Sequence, residues 1–567
     1  MYAFIFYIGF FLCGRAGKLN VGMPLYAHGA WRFGYKEKKD GNNAQKKNPY
    51  TVYGIQLTRN ALKDDNKKMR DRKAKTEKQR LKIMFAVKIN KSQFEYDVHS
   101  LVKAFYPEEM VKVLTPEMSS EKNKEWEENI RIEIILQDDG ASVKVKDAAG
   151  EYIWRREEAE STYKNEFKKF LYKTLCDMTG KELPWGNLTG IRPTKIAMGL
   201  LEEGKTEEEI VTALQKEHFV STEKADLSVE IAKREKELLS HIHYEEGYSL
   251  YIGIPFCPTT CLYCSFTSNP ICKWRDRVEE YIDCLIKEMD FTKEAFAGKI
   301  LDSVYIGGGT PTTLTAPQLD RLISALQERF DFSTVQEFTV EAGRADSITE
   351  DKLKVLAAHK VDRISVNPQT MKQDTLKLIG RQHTVEQVKE AFHLARKTGD
   401  FHINMDIILG LPGELEEDVE NTIEEIKKLQ PDSLTVHSLA IKRASRLALW
   451  IQENGVKTLH NTDETMKIAS KGARDMGMHP YYLYRQKNMS GNFENVGYAN
   501  EGGDGIYNIL IMEEKQTIVA LGAGSITKRV FPDGRIERCD NVKDVGLYME
   551  KIEEMTDRKR KLFSGLC

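Results

Sequence analysis

The chain has 567 residues, too long for one ordinary domain, so roughly two to four are expected, each with its own core. Hydrophobic residues make up 41% and charged residues 30%, and the net charge is only -2 at pH 7. That is a globular composition, and it excludes a whole-molecule attraction to nucleic acid or to an anionic membrane. Nine cysteines are too few and too unevenly spaced for a disulfide framework, and three crowd into the span 257–264. This pattern predicts a reducing, cytoplasmic setting and a metal.

Met1 to Gly14 is almost wholly apolar, but no basic residue precedes it and it is shorter than the roughly 20 residues that span a bilayer. It reads as neither a signal peptide nor an anchor, and no stable membrane insertion is expected. Between Lys63 and Lys82 there are ten Lys or Arg against four acids, with little apolar periodicity. Residues 1–83 are therefore read as a disordered or artefactual extension, with Met84 as the natural start. From Met84 an alternating FAVKINKSQFEY opens a strand, and RIEIIL and SVKVKD follow. Helical patterns come next, TYKNEFKKFLYKTLCDM and EKADLSVEIAKREKELLSHI. Residues 84–246 are thus expected to form an α+β module. Within it PWGNLTGIRPTKIAMGLL predicts a turn and then a helix, with Arg192 and Lys195 either holding an anionic group or standing as solvated charges.

From 247 to 440 short apolar strands alternate with amphipathic helices. The strands are LYIGI (250–254), SVYI (303–306), EFTVE (337–341), RISV (363–366), INMDIIL (403–409) and SLTVH (433–437). Strict β/α alternation predicts parallel strands with right-handed helical crossovers, enough for a partial (β/α)6 barrel. In such barrels ligands sit at the C-terminal strand ends. Residues 441–567 carry a helix (NTDETMKIASKGARDM), an aromatic run (YYLYRQ) and two apolar strands (IYNILIM, TIVALGAGS), read as a domain capping the barrel mouth.

Directly after the first barrel strand, Cys257, Cys261 and Cys264 are spaced by four and three residues. Such a loop wraps one corner of an iron-sulfur cube, giving one thiolate to each of three irons and leaving the fourth open. An open iron can bind the amino and carboxylate groups of S-adenosylmethionine (SAM), and one electron from the cluster can then release a 5'-deoxyadenosyl radical. Structural zinc is the alternative, but it wants a fourth ligand nearby, and no His, Cys or Asp lies between Cys264 and Cys272.

The C-x3-C-x2-C spacing resembles the signature of the radical SAM superfamily. Over about residues 249–530 the chain more closely resembles the oxygen-independent coproporphyrinogen III oxidase family. The long N-terminal module and RQKNMSGNFENVGY most resemble the coproporphyrinogen dehydrogenase branch of anaerobic and spore-forming bacteria. The resemblance implies a 4Fe-4S cluster on the three cysteines and a SAM site lined by Gly308, Gly309 and Thr310 of GGGTPT, by Glu341, and by Gln369 and Arg381 of the stretch after strand four. It also implies Asp406 as a ribose-binding acid, with Tyr251, Tyr263, Ala440 and Ile526 at further cofactor-contact positions.

The implied reaction is oxidative decarboxylation of coproporphyrinogen III to protoporphyrinogen IX in haem biosynthesis, with a low-potential electron donor as partner. Lys442, Arg443, Arg446, Arg485 and Lys487 are candidates to meet the substrate propionates. Two departures stand out, Phe266 where the oxidases have a fourth cysteine and Gly253 where they have His. They raise the alternative of a haem-trafficking chaperone or another tetrapyrrole-acting radical SAM protein. The chaperone-like sequences, however, carry a segment close to H-N-L-G-Y-W, and here it is Glu494-Asn495-Val496-Gly497-Tyr498-Ala499, without the iron-ligating His.

Overall fold

The computed structural model describes residues 84–564 apart from 108, 119, 138–139, 148–149, 158–162, 191, 265–267, 443–444, 456–457 and 487–488. The expectations for residues 1–83 and for Phe266, Arg443 and Lys487 lie outside the described residues.

The first sheet contains β1 (Met84–Ile89), β2 (Met110–Leu114), β3 (Ile130–Leu136), β4 (Gly140–Asp147) and β5 (Gly150–Glu157), in the order β2-β1-β3-β4-β5. β1 runs parallel to β2 and β3, so the chain must cross over between them, and the helix Glu95–Phe105 makes the first crossing. Alternate residues of the strands, Val87, Ile89, Ile132, Ile134, Val143 and Val145, point into one core. Val98, Leu101 and Phe105 of that helix and Phe167, Leu171 and Leu175 of the helix Tyr163–Thr179 complete it.

The second sheet is built on β6 (Gly247–Ile254), β9 (Ile300–Gly308), β10 (Glu337–Val340), β11 (Arg363–Ser365), β12 (His402–Leu409) and β13 (Ser433–Ser438). A two-residue pair, β7 (Phe256–Cys257) and β8 (Asn269–Pro270), braces the loop after β6. All six long strands are parallel. Later strands then join both edges: β14 (His479–Tyr484), β15 (Asn495–Ala499), β16 (Thr517–Leu521), β17 (Ile526–Val530) and β18 (Ile536–Asp540). The order is β14-β15-β13-β12-β11-β10-β9-β6-β16-β17-β18. β16 lies parallel to β6 and so adds a seventh parallel strand to the six expected, while β14, β15, β17 and β18 are antiparallel additions.

A period of two runs through the parallel strands. Leu250, Ile252, Val304, Ile306, Ile364, Met405 and Val436 face the surrounding helices, as in any sheet covered on that side. The intervening residues face inward and are polar or aromatic: Ser249, Tyr251, Ser303, Tyr305, Arg363, Asn404, Asp406 and Thr435, all buried. Buried polar groups need partners, and these find one another. Ser303 Oγ donates to Ser249 Oγ at 2.8 Å, and Ser249 Oγ to Gln516 Oε1 at 2.7 Å. Arg363 donates to the Gly503 carbonyl at 2.6 Å and to Ser433 Oγ at 2.8 Å.

One secondary-structure expectation is overturned. IYNILIM, read as a strand, lies in the helix Ile506–Glu513. Tyr507–Glu513 are all buried, so apolar residues fall on every side and no helical period shows in sequence. Tyr507 stacks on Tyr305 with ring centroids 4.8 Å apart, which places this helix against the inner face of β9. The helices Thr194–Glu202, Glu207–His218 and Thr222–Leu239 pack into the barrel core through Ala197, Met198, Ile210, Leu214 and Val229 rather than onto the first sheet. Among the described residues no helix is long and apolar enough to cross a membrane.

Candidate active site

The C-terminal ends of β6 and β9–β13 converge on one pocket. Cys257, Cys261 and Cys264 form one side, with Tyr263 beside them. Gly308, Gly309, Thr310, Glu341, Gln369, Arg381 and Asp406 line the rest, together with Gly343, Arg344, Asn367 and His437. Three of the sequence-predicted contacts do not line it. Tyr251 is buried behind Gly308, where a Cβ would come 3.3 Å from its hydroxyl; Ala440 bridges to Met489, and Ile526 begins β17.

The glycines are required by close approach. A Cβ on Gly309 would stand 2.4 Å from the Phe256 carbonyl oxygen and 3.0 Å from Cys257 Sγ, and Gly308 adopts φ +113°, a conformation that disfavours any side chain. Thr310 Oγ1 donates to Cys257 Sγ at 3.8 Å. Burial pushes the Cys257 thiol up to about 12. Such a thiol becomes a thiolate only when a metal displaces its proton.

The two carboxylates are held by different means. Glu341 accepts from the Tyr305 hydroxyl at 2.7 Å and from the Gly308 N–H at 3.2 Å, which fixes it beside the glycine turn. Asp406 accepts from Asn367 Nδ2 at 2.8 Å and Asn404 Nδ2 at 2.7 Å, and His437 Nε2 stands 3.7 Å away. Burial opposes its ionisation, while His437 most of all and then the Asn404 amide favour it, and the carboxyl lies well below the usual carboxylate range. Gln369 sits at φ +68°, a strained conformation for a non-glycine residue. Its N–H donates to the Asp406 carbonyl and its carbonyl accepts from the Ile408 N–H, both at 2.9 Å, so β12 holds it in place.

Arg381 donates from Nη1 to the Asn367 carbonyl at 2.5 Å and to the Gly343 carbonyl at 3.3 Å, while its buried Nε has no hydrogen-bond partner among the described residues. A donor left over on a buried guanidinium in a pocket wall suits an anionic ligand group.

Sequence reasoning missed Asn367, Asn404, Arg344 and His437. For Asn404 and His437 the signal was present as polar residues at alternate positions of strands otherwise apolar. The five cations proposed for substrate separate. Arg485 is buried and does not line the pocket, donating to the Leu188 carbonyl at 2.6 Å and to Asn492 Oδ1 at 2.8 Å, while its Nε has no hydrogen-bond partner among the described residues. Arg446 is exposed and Lys442 half-buried. Arg192 is neither an anion site nor a free charge, since it pairs with Glu514 at 3.2 Å and donates to the Met512 carbonyl; Lys195 is exposed.

Three cysteines, a glycine turn and paired carboxylates at the C-terminal ends of a parallel partial barrel define a radical SAM protein, and residues 251–426 match the Radical SAM superfamily model. The chain is 42% identical over 411 residues, 71% of its length and 82% of the relative's, to the oxygen-independent coproporphyrinogen-III oxidase-like protein HemZ of Bacillus subtilis (strain 168). It belongs to the oxygen-independent coproporphyrinogen III oxidase-like family of radical SAM enzymes. The heme chaperone HemW of Lactococcus lactis subsp. lactis (strain IL1403) is 32% identical over 278 residues, covering 49% of this chain and 68% of that one. Among solved structures, coproporphyrinogen III oxidase (HemN) from Escherichia coli aligns with TM-score 0.44 and 21% identity, over 56% of this chain and 72% of that one.

The cofactors are those of the family, a 4Fe-4S cluster and SAM. The pocket fits them, with three thiols on one side, no Cβ on Gly309 to crowd Cys257, and a buried guanidinium donor without a partner. Among the described residues no three His, Cys, Asp or Glu are gathered as around a single ion.

Proposed function

We propose that the protein catalyses oxygen-independent oxidative decarboxylation of a tetrapyrrole, taking coproporphyrinogen III to protoporphyrinogen IX. Cys257, Cys261 and Cys264 would hold the cluster. The observation that supports the reading is the pocket itself, which gathers three cysteines, two carboxylates and a buried guanidinium. Glu341 and the Gly308–Thr310 turn receive the amino end of SAM, Arg381 its carboxylate, and Asp406, kept ionised by its neighbours, the ribose hydroxyls. When bound, the cluster and SAM would supply the removal of a hydrogen atom from a propionate β-carbon. The propionate then loses carbon dioxide and one electron to leave a vinyl group, so an electron acceptor is needed as well as a low-potential donor for the cluster. Buried Tyr263, Ile408 and Gln369 lie along the pocket walls.

The likeness to heme chaperones keeps a second reading, a haem carrier. Against it stands Glu494, which is buried, accepts from Trp185 Nε1 at 2.7 Å and pairs with Lys224 at 2.8 Å. The position where the chaperone-like sequences have His is therefore committed to packing in this chain. Anaerobic incubation with coproporphyrinogen III, SAM and a reductant decides between the two. Release of carbon dioxide with vinyl-bearing product is expected; tight one-to-one haem binding without decarboxylation would overturn the proposal.

A further inference from the structure

Beside the cysteine loop lies an arginine that none of the roles above uses. Arg344 follows Glu341 in the loop after β10 and is 3% exposed. One edge of its guanidinium grips Asp346 twice, Nε to Oδ1 at 2.9 Å and Nη2 to Oδ2 at 2.6 Å. The other edge faces the cysteine loop, where Nη1 donates to Thr259 Oγ1 at 2.9 Å and stands 3.8 Å from Cys261 Sγ.

The backbone beneath is equally fixed. The Arg344 carbonyl accepts from the Ser347 N–H at 2.9 Å and from Ser347 Oγ at 2.7 Å, and Ser347 Oγ meets Thr312 Oγ1 at 2.6 Å. A long side chain held at both edges has little freedom left to lose, so its charge sits at a set place. Because Nη1 faces the sulfur while Asp346 lies on the far edge, the ion pair presents its positive end to Cys261.

We propose that Arg344 is a positioning residue that sets the reduction potential of the iron-sulfur cluster, by donating to the Cys261 sulfur and placing a fixed positive charge beside it. The proposal rests on the reading that Cys261 ligates the cluster. Uptake of one electron from the external low-potential donor adds one negative charge to the cluster, and a nearby cation stabilises that state. Net charge and hydrogen bonds to the sulfurs are the levers by which proteins move such potentials. Asp346 opposes the effect in charge while aiming the guanidinium.

The test is a mediated anaerobic redox titration of the full chain, reconstituted with iron and sulfide and followed by cluster absorbance, without SAM. In Arg344→Gln, at the applied potential that half-reduces the parent, the ratio of reduced to oxidised cluster should fall about tenfold, a midpoint about 59 mV more negative for one electron. Arg344→Lys keeps the charge and should recover part of the shift. Asp346→Asn removes the opposing charge and should move the midpoint the other way. A role confined to bracing the loop does not give opposite signs. An Arg344→Gln protein with the parent's iron content and an unchanged midpoint overturns the proposal; if that variant holds no iron, Asp346→Asn carries the test, and no upward shift in it overturns the proposal. Cys261→Ala separates the two claims, since full iron content in that variant would sink the ligation itself.

Discussion

At the scale of single residues the pocket divides into groups that meet iron and groups that meet an organic ligand. Cys257, Cys261 and Cys264 share the pocket, whereas Cys272 is exposed and Cys284 and Cys539 are buried outside it. Replacing any of the first three by Ala should abolish the cluster absorbance of the reconstituted protein and stop SAM cleavage. Ala at Cys272, Cys284 or Cys539 should leave both in place, and dependence on Cys272 would refute the three-cysteine site. Asp406→Asn and Arg381→Ala should weaken SAM binding, measured by equilibrium titration, with iron content near that of the parent. Asp406→Asn loses the charge that His437 and Asn404 stabilise. Arg381→Ala removes the donor whose Nε is left over in the wall. Unchanged affinity in both variants would remove them from the site.

Among elements, a buried joint ties the helix Thr222–Leu239 to Glu494, the residue just before β15. Lys224 and Glu494 are 5% and 1% exposed at the side chain, and Trp185 adds its indole N–H to the same carboxylate. Removing one member of a buried pair strands the other's charge, which typically costs about 3–5 kcal/mol. Lys224→Met should therefore lower the urea midpoint sharply, and Lys224→Met with Glu494→Gln should recover much of the loss. The same geometry predicts the fate of Glu494→His. The imidazole would face Trp185 and Lys224, so haem titration should show no new stoichiometric site. A tight site with a bis- or mono-histidine spectrum would contradict that orientation.

On the scale of the whole molecule, the parallel sheet has an inner face of buried polar groups, and this makes its stability depend on pH. His402, at the start of β12, is lowered to about 4 by burial and by the nearby Arg363 and Arg396 charges, with Asp432 opposing them. Its ordinary value in an unfolded chain is about 6.5. Between those values the unfolded state binds the proton and the folded state does not. Stability from this group is therefore present above about pH 6.5 and is lost as pH falls toward about 4. Urea midpoints measured across that window should fall with acidification in the parent and fall less in His402→Gln; parallel curves would show that His402 carries none of the dependence.

The cysteine spacing, the β/α alternation and the glycine turn were legible in the residues themselves, because each is a local pattern whose chemistry does not depend on distant partners. All six barrel strands appear where their apolar runs begin and end, to within a few residues. What the chain order conceals is which distant residues meet. The Ile506–Glu513 helix was misread because burial on every side erases the period that marks a helix. β16 joins β6 from the far end of the chain, with Ser249 beside Ile518, a pairing no local pattern announces. Arg485 and Arg192 carry the same charge as any substrate-binding arginine, and only their partners reveal that they brace the structure. Arg344 reads in sequence as one more charge in a loop, and only the fold brings it to Cys261. The sequence by itself determined the chemistry, because ligand type and spacing are covalent facts. The tertiary structure decided which charges face the pocket and which are spent holding it, because burial and pairing are set by packing across hundreds of residues.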